Sequence, residues 1–222
     1  MSTGGLGFPL PTGPVLPGVW AIRDAFVNLF VLSGDKGLVC VDAGWRLAAV
    51  KRGFQRLGFD PVQVKAVLLT HSDGDHVGGL SAFPEARVIL GREERGLLEE
   101  QASRWLGLFH NRIAKRPLEW VSGGDQLDLG GLSLRVVAAP GHTPGSLCYL
   151  FEDRVLFAGD AVWRWGGART LPFFNMDLRG ARSSLRKVLA LAEGRTILTA
   201  HAGSATGQLS PGGPSASGQA GP

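Results

Sequence analysis

Cysteine is nearly absent from this chain. Only Cys40 and Cys148 occur, each inside an apolar run. Neither a disulfide framework nor a cysteine-built metal site is therefore expected, and burial as small apolar residues accounts for both. Long apolar runs are missing too, since no stretch reaches the roughly 18 residues that a membrane-spanning helix needs. The N-terminus, Met1-Ser2-Thr3-Gly4-Gly5-Leu6-Gly7-Phe8-Pro9, lacks the basic start and apolar segment of a secretory signal. A soluble cytoplasmic protein without a membrane partner is the expectation. Densely basic runs are also lacking. The net charge is +4, but the cations are dispersed, which argues for a solvated surface and against a nucleic-acid partner. Residues 204–222 hold no charged and no aromatic side chain. Such a segment buries too little apolar surface to offset its ordering entropy, so a disordered Gly/Ser/Pro-rich tail is expected there.

What is present is an apolar content of 44% in 222 residues. That suffices for one substantial domain, expected over residues 1–203, and is too little for two of ordinary size. Strand-like runs fall at about residues 15–23, 27–33, 37–42, 64–70, 87–90, 132–138, 146–151, 154–158 and 196–199. Helical periodicity lies between them. Leu47, Val50, Phe54 and Leu57 share one face closed by Gly58, and Leu178, Ala181, Leu185, Val188 and Ala192 share another before Gly194. Pattern alone supports an α/β or α+β domain.

Histidine is scarce, with five in the chain, and four of them sit in conspicuous turns. Thr70-His71-Ser72-Asp73-Gly74-Asp75-His76-Val77-Gly78-Gly79 follows the apolar run 64–69. In an extended turn, residues 71, 73 and 75 point one way and residue 76 opens the next element, so four side chains converge on a volume suited to metal ions. His142 lies in Pro140-Gly141-His142-Thr143-Pro144-Gly145-Ser146, His201 in Leu198-Thr199-Ala200-His201-Ala202-Gly203, and Asp160 ends the strand-like run 154–159. The fifth histidine, His110, has no matching motif.

In that order, His71, Asp73, Asp75, His76, His142, Asp160 and His201 resemble the metallo-β-lactamase-fold superfamily of hydrolases, over residues 15–201. One position departs from its usual His-x-His-x-Asp-His motif, where Asp73 replaces the second histidine. The resemblance implies a four-layer αββα sandwich with two divalent metal ions at one edge of the packed sheets. One ion would take His71, Asp73 and His142 and the other Asp75, His76 and His201, with Asp160 bridging and Asp75 also serving as the catalytic carboxylate. Zinc is the first choice, and iron or manganese remain open because Asp73 adds a harder oxygen donor. Two divalent ions, a hydroxide and the usual two carboxylates leave a single positive charge, which a third carboxylate cancels.

The implied activity is hydrolysis of a small-molecule ester, thioester or lactone by a metal-bridging hydroxide, as in the hydroxyacylglutathione hydrolase-like and lactonase-like branches. No cysteine replaces Asp160, which disfavours antibiotic hydrolysis, and no arm for nucleic acid is visible. A non-haem iron oxidoreductase, acting on a persulfide or as a diiron reductase, is the alternative, and a metal-binding protein without catalysis is a third. Segments 102–120 and 162–169 are expected to border the cleft, with Arg164 and Arg169 binding an anionic substrate group. Asp42 and Asp125 are candidates for orienting the ligands. Oligomeric state stays open.

A chain shortened to end at Thr206 is expected to keep the metal content, melting temperature and activity of the full chain. Elemental analysis and thermal melts check this, and a clear loss of stability would contradict it.

Overall fold

Alternation of side chains along the strands sorts the apolar residues into three separate cores, and these cores define the layers. The computed structural model describes residues 8–100, 103–104, 109–111, 113, 116–164 and 168–206. The first half opens with β1 (Gly13–Leu16), β2 (Val19–Asp24), β3 (Val27–Gly34) and β4 (Gly37–Val41), which pair antiparallel in sequence order. Helix α1 (Leu47–Leu57) then crosses to β5 (Val64–Leu68), which lies parallel to β4. The short α2 (Gly74–Val77), β6 (Arg87–Gly91) and α3 (Arg95–Glu99) follow, then a ribbon of β7 (Ser103–Arg104) and β8 (Phe109–His110), and β9 (Glu119–Val121) completes the first sheet beside β6.

The second sheet begins with β10 (Gln126–Asp128), β11 (Ser133–Ala138), β12 (Leu147–Phe151) and β13 (Val155–Phe157), again antiparallel neighbours. A two-stranded ribbon of β14 (Trp163–Arg164) and β15 (Ala168–Arg169) leads to α4 (Leu178–Leu191). Strand β16 (Thr196–Leu198) then returns parallel to β13, and β17 (Ser204–Thr206) pairs antiparallel with β16.

Odd residues of β12, Leu147, Tyr149 and Phe151, join Val39, Val41, Ala66 and Leu68 of the first sheet in the central core. The intervening Cys148 and Leu150 face outward, where they pack with Leu185 and Val188 of α4. On the far side Cys40 and Val67 pack with Val50 and Phe54 of α1. The fold is thus the expected αββα sandwich. The two cysteines are buried free thiols in different outer layers. Burial pushes the Cys148 thiol up to about 12, in keeping with a structural role.

Helix ends follow their sequence signals. Gly58 ends α1 in the left-handed conformation, φ 74°, and its N–H reaches Gln55 and Phe54 carbonyls. Asp177 caps α4 by accepting from the Arg179 and Gly180 N–H groups at 2.9 and 3.0 Å. Two expectations need correction. The run 15–23 is a hairpin rather than one strand, because the chain reverses at Pro17-Gly18, with Gly18 at φ 76°. The domain boundary expected at residue 203 falls inside the second sheet, since Ser204–Thr206 is strand β17. The remaining tail, 207–222, lies outside the described residues. Among the described residues no helix is long and apolar enough to cross a membrane.

Phe54 is fully buried and meets Phe83 at 5.3 Å between ring centroids. Phe54→Ala is expected to cost about 3–5 kcal/mol of stability, read by denaturant titration, while metal content of the folded protein is retained.

Candidate metal centre

Every residue of the expected set sits where strands stop at one edge of the sandwich. The loops after the parallel strands β4, β5, β13 and β16 carry Asp42, residues 70–76, Asp160 and His201, and the loop before β12 carries His142. This is the end of a parallel arrangement at which functional groups ordinarily gather. Hydrogen bonds between the sheets hold these loops in register: Asn28 N–H to Ala200 O at 2.8 Å, Leu147 N–H to Thr70 O at 2.8 Å, and Tyr149 O–H to Leu69 O at 2.8 Å. Gly159 precedes Asp160 at φ 49°, and a β-carbon there would lie 2.8 Å from Thr70 Cβ. Only glycine lets the two loops approach so closely.

The seven side chains form two clusters around Asp160. Asp73 Oδ2 lies 3.6 Å from His71 Nε2 and 3.0 Å from His142 Nε2, and His142 Nε2 is 3.6 Å from Asp160 Oδ2. Asp75 Oδ2 lies 3.8 Å from His76 Nε2 and 3.4 Å from His201 Nε2. The other Asp160 oxygen, Oδ1, is 3.4 Å from His76 Nε2 and 3.2 Å from His201 Nε2. Each cluster therefore offers two imidazole nitrogens, one carboxylate oxygen of its own and one oxygen of Asp160. The donor atoms of His71, Asp73 and His142 lie within 4.8 Å of one another, as do those of Asp75, His76 and His201. The buried His71 Nε2, His76 Nε2 and Asp160 Oδ1 make no hydrogen bond, although buried polar atoms are normally satisfied. This donor set fits divalent cations.

A sequence profile of the metallo-beta-lactamase superfamily matches residues 22–201. The chain belongs to that superfamily. It is 33% identical to the hydroxyacylglutathione hydrolase of Aeromonas salmonicida (strain A449), over 82% of this chain and 60% of that protein. It is 32% identical to the hydroxyacylglutathione hydrolase GloC of Haemophilus influenzae, over 75% of this chain and 81% of that one. The chain thus spans about three fifths of the length of the Aeromonas relative. Among solved structures, the B3 metallo-beta-lactamase BLEG-1 superposes with a TM-score of 0.70 at 27% identity, covering 85% of this chain and 93% of that one. Membership in the superfamily implies binding of divalent metal.

Around the clusters, a set of hydrogen bonds turns three of the four rings. His76 Nδ1 meets Asp42 Oδ2 at 2.9 Å, His71 Nδ1 meets Thr70 Oγ1 at 3.0 Å, and His201 Nδ1–H donates to Phe26 O at 2.8 Å. With Nδ1 occupied, Nε2 of each ring faces the cluster, the usual second contact of a metal-binding histidine. Asp42 does this from a left-handed backbone, φ 62°, and also accepts from the Thr70 N–H at 2.8 Å. Asp42 therefore belongs to the site, as expected. Asp125 does not, because it accepts from Ser122 N–H at 2.9 Å in its own turn.

Several contributing residues carried no motif. Buried Glu94 accepts from Ser72 N–H at 2.8 Å, from the Ser72 hydroxyl and from Gly145 N–H at 3.0 Å, so it ties the His71 loop to the His142 loop. Asn111 donates to Ser72 Oγ and to Asp73 Oδ1, both at 2.8 Å, leaving Oδ2 of Asp73 toward the histidines. Segment 102–120 does reach the cleft through Asn111, next to the unmatched His110, whose side chain is outside the described set. Arg169 lies opposite Trp163 in the β14–β15 ribbon, and its buried Nε makes no hydrogen bond. The Arg164 backbone pairs in the same ribbon, and its side chain is outside the described set.

Electrostatic compensation sets the titration of the cluster. Burial alone would lower His76, but Asp42, then Asp75 and Asp160, outweigh it and hold the ring well above the ordinary imidazole value. His201 is likewise raised, burial being overcome chiefly by Asp160. Burial would raise Asp73 and Asp160, yet both are held well below the carboxylate range, Asp73 by His71 and His142 and Asp160 by His201 and His76.

In metal-free protein, the raised histidines stabilise the fold fully below about pH 6.5, and that contribution is lost as pH rises through their folded values. The lowered carboxylates contribute above about pH 4 and lose their contribution only in stronger acid. Metal must displace the histidine protons, so its advantage grows with pH. The gap in melting temperature between metal-loaded and metal-stripped protein is expected to widen from about pH 6 to about pH 8.5. A constant gap in calorimetry at both pH values would contradict this.

Proposed function

We propose that this protein is a hydrolase that holds two divalent ions and cleaves an ester, thioester or lactone of a small molecule. The observation that carries the reading is the division of Asp160, one oxygen facing His142 and the other facing His76 and His201. In this reading His71, Asp73 and His142 hold one ion, Asp75, His76 and His201 hold the other, and Asp160 is shared. Bound ions would supply a water made acidic near neutral pH and a Lewis acid for the carbonyl. Asp75 is the most accessible of the three cluster carboxylates, with its side chain 12% exposed, and accepts the proton that the attacking water gives up. Asp42 and Thr70 keep the rings of His76 and His71 turned inward during that transfer.

The hydroxyacylglutathione hydrolase names of the relatives at 33% and 32% identity support an acyl-transfer substrate. Zinc is the proposed ion. The carboxylate of Asp73 moves the preference toward iron or manganese relative to a histidine at that position, and it is the feature that favours the second reading, a non-haem iron oxidoreductase. Arg169, with its unpartnered Nε beside Trp163, is proposed to hold an anionic substrate group, with Arg164 on the neighbouring strand.

Protein purified without added metal is expected to hold two ions per chain by elemental analysis and to hydrolyse the thioester or lactone members of a panel that also contains a phosphodiester, with loss on chelation. Asp73→Ala is expected to weaken metal binding by about tenfold or more, and Asp73→His to restore occupancy with a shift toward zinc. One ion per chain with no hydrolysis would overturn the reading, and unchanged metal content in Asp73→Ala would remove Asp73 from the donor set.

A further inference from the structure

His201 stands in a row of aromatic rings. Trp163 lies nearly parallel to its imidazole, 4.6 Å away at 9°, and Phe26 lies 5.8 Å away at 18°. The row continues from Phe26 to Trp45 at 5.2 Å and from Trp163 to Phe174 at 5.9 Å. Phe173 and Met176 neighbour Phe174 in the chain, and the Met176 N–H bonds to His142 O at 3.2 Å. The His201 side of the cluster therefore adjoins an apolar border, and a backbone hydrogen bond ties the end of that border to His142.

This border is open to solvent where the fold alone gives no reason for it. Among the described residues six large apolar side chains are exposed, and four belong to this border: Phe26 at 49%, Trp45 at 45%, Phe173 at 75% and Met176 at 49%. Scattered exposed apolar residues need no explanation, but a contiguous group beside a polar cluster marks a binding surface. The surface is also built rather than loose. Buried Asp24 accepts from the Trp45 N–H at 2.9 Å and pairs with Arg46 at 2.7 Å, which fixes the loop that carries Trp45. The Arg46 guanidinium covers Trp45 at 5.5 Å from the ring centroid while its charge is committed to Asp24.

We infer that this border binds the acyl part of the substrate, and that the substrate class is a thioester, ester or lactone with an apolar acyl chain of medium length rather than a short hydroxyacyl group. The inference rests on the hydrolase reading above. A carbonyl held at the cluster leaves its acyl chain beside His201 and His142, where the aromatic row begins, so the chain leaves water as the carbonyl binds. The reaction balances without a further reactant: water adds to the carbonyl carbon, the carbon–sulfur bond breaks, and the departing thiolate takes a proton, giving a carboxylic acid and a thiol.

The test uses the metal-loaded full chain and S-acyl thioesters of N-acetylcysteamine from acetyl to octanoyl. Each methylene that leaves water is expected to raise kcat/KM by up to about fourfold, so octanoyl should exceed acetyl by about 100-fold or more. Trp45→Ala and Met176→Ala, both at exposed positions, are expected to reduce the octanoyl-to-acetyl ratio by about tenfold, with metal content by elemental analysis unchanged. Hydrolysis without dependence on chain length would overturn the inference and leave the hydrolase reading standing. If no thioester is cleaved, the hydrolase reading rests on the ester and lactone substrates, and titration calorimetry with octanoate and acetate decides the border's role. Octanoate preferred by tenfold or more in the wild type, with the preference lost in Trp45→Ala, supports it, and equal binding overturns it. A dimer in sedimentation that dissociates in the same variants, without chain-length dependence, would assign the border to a subunit interface and also overturn it.

Discussion

Three carboxylates and four imidazoles share one nearly dry volume, and the structure around them exists to make that arrangement tolerable. An isolated charge in such a place would cost several kcal/mol. Here each carboxylate of the cluster faces two or more imidazoles, and His76, His71 and His201 are in turn held by Asp42, Thr70 and the Phe26 carbonyl. Remove Asp42 and His76 loses the largest influence that keeps it charged, while Thr70 loses the acceptor that orients its hydroxyl toward His71. The burial of this edge, the tight turns and the strained backbone of Asp42 all follow from the need to satisfy polar groups in a place that water reaches poorly.

Much of this was legible in the residues themselves. His71 to His76 lie in one turn, and the apolar run before them announces a strand, so local periodicity brings four donors together without knowledge of the rest. His142, Asp160 and His201 were readable because each ends or precedes an apolar run beside glycine. The supporting residues had no such mark. Glu94 reaches Gly145 across 51 positions and Asn111 reaches Asp73 across 38, so their roles exist only once the sheets have packed. Asp42, ending an apolar run, and Asp125, following Gly123-Gly124, were equal candidates, and only the tertiary contact separates the one beside His76 from the one that closes its own turn.

The fold was legible to a similar degree. Helices α1 and α4 match their apolar faces, and Gly58 ends α1 as a left-handed cap. Pro17-Gly18 carried a turn signal that the apolar run on both sides concealed, and the result is a hairpin. Ser204–Thr206 is polar and short, with nothing in its composition to order it; its order comes from pairing with β16, a partner that composition does not reveal.

The donors divide between the layers in a way that bears on how the molecule holds together. His71, Asp73, Asp75 and His76 belong to a loop of the first sheet, and His142, Asp160 and His201 to loops of the second. Each half of the cluster draws on both sheets, so an ion held in either would act as a clasp across the seam between them. His142 and Asp73 stand 69 positions apart, and a contact that closes so long a stretch of chain restricts the unfolded ensemble more than a local one does. Such a clasp would make the two sheets a single mechanical body at that edge, so that the spacing of the cluster and the sliding of the sheets become one coordinate.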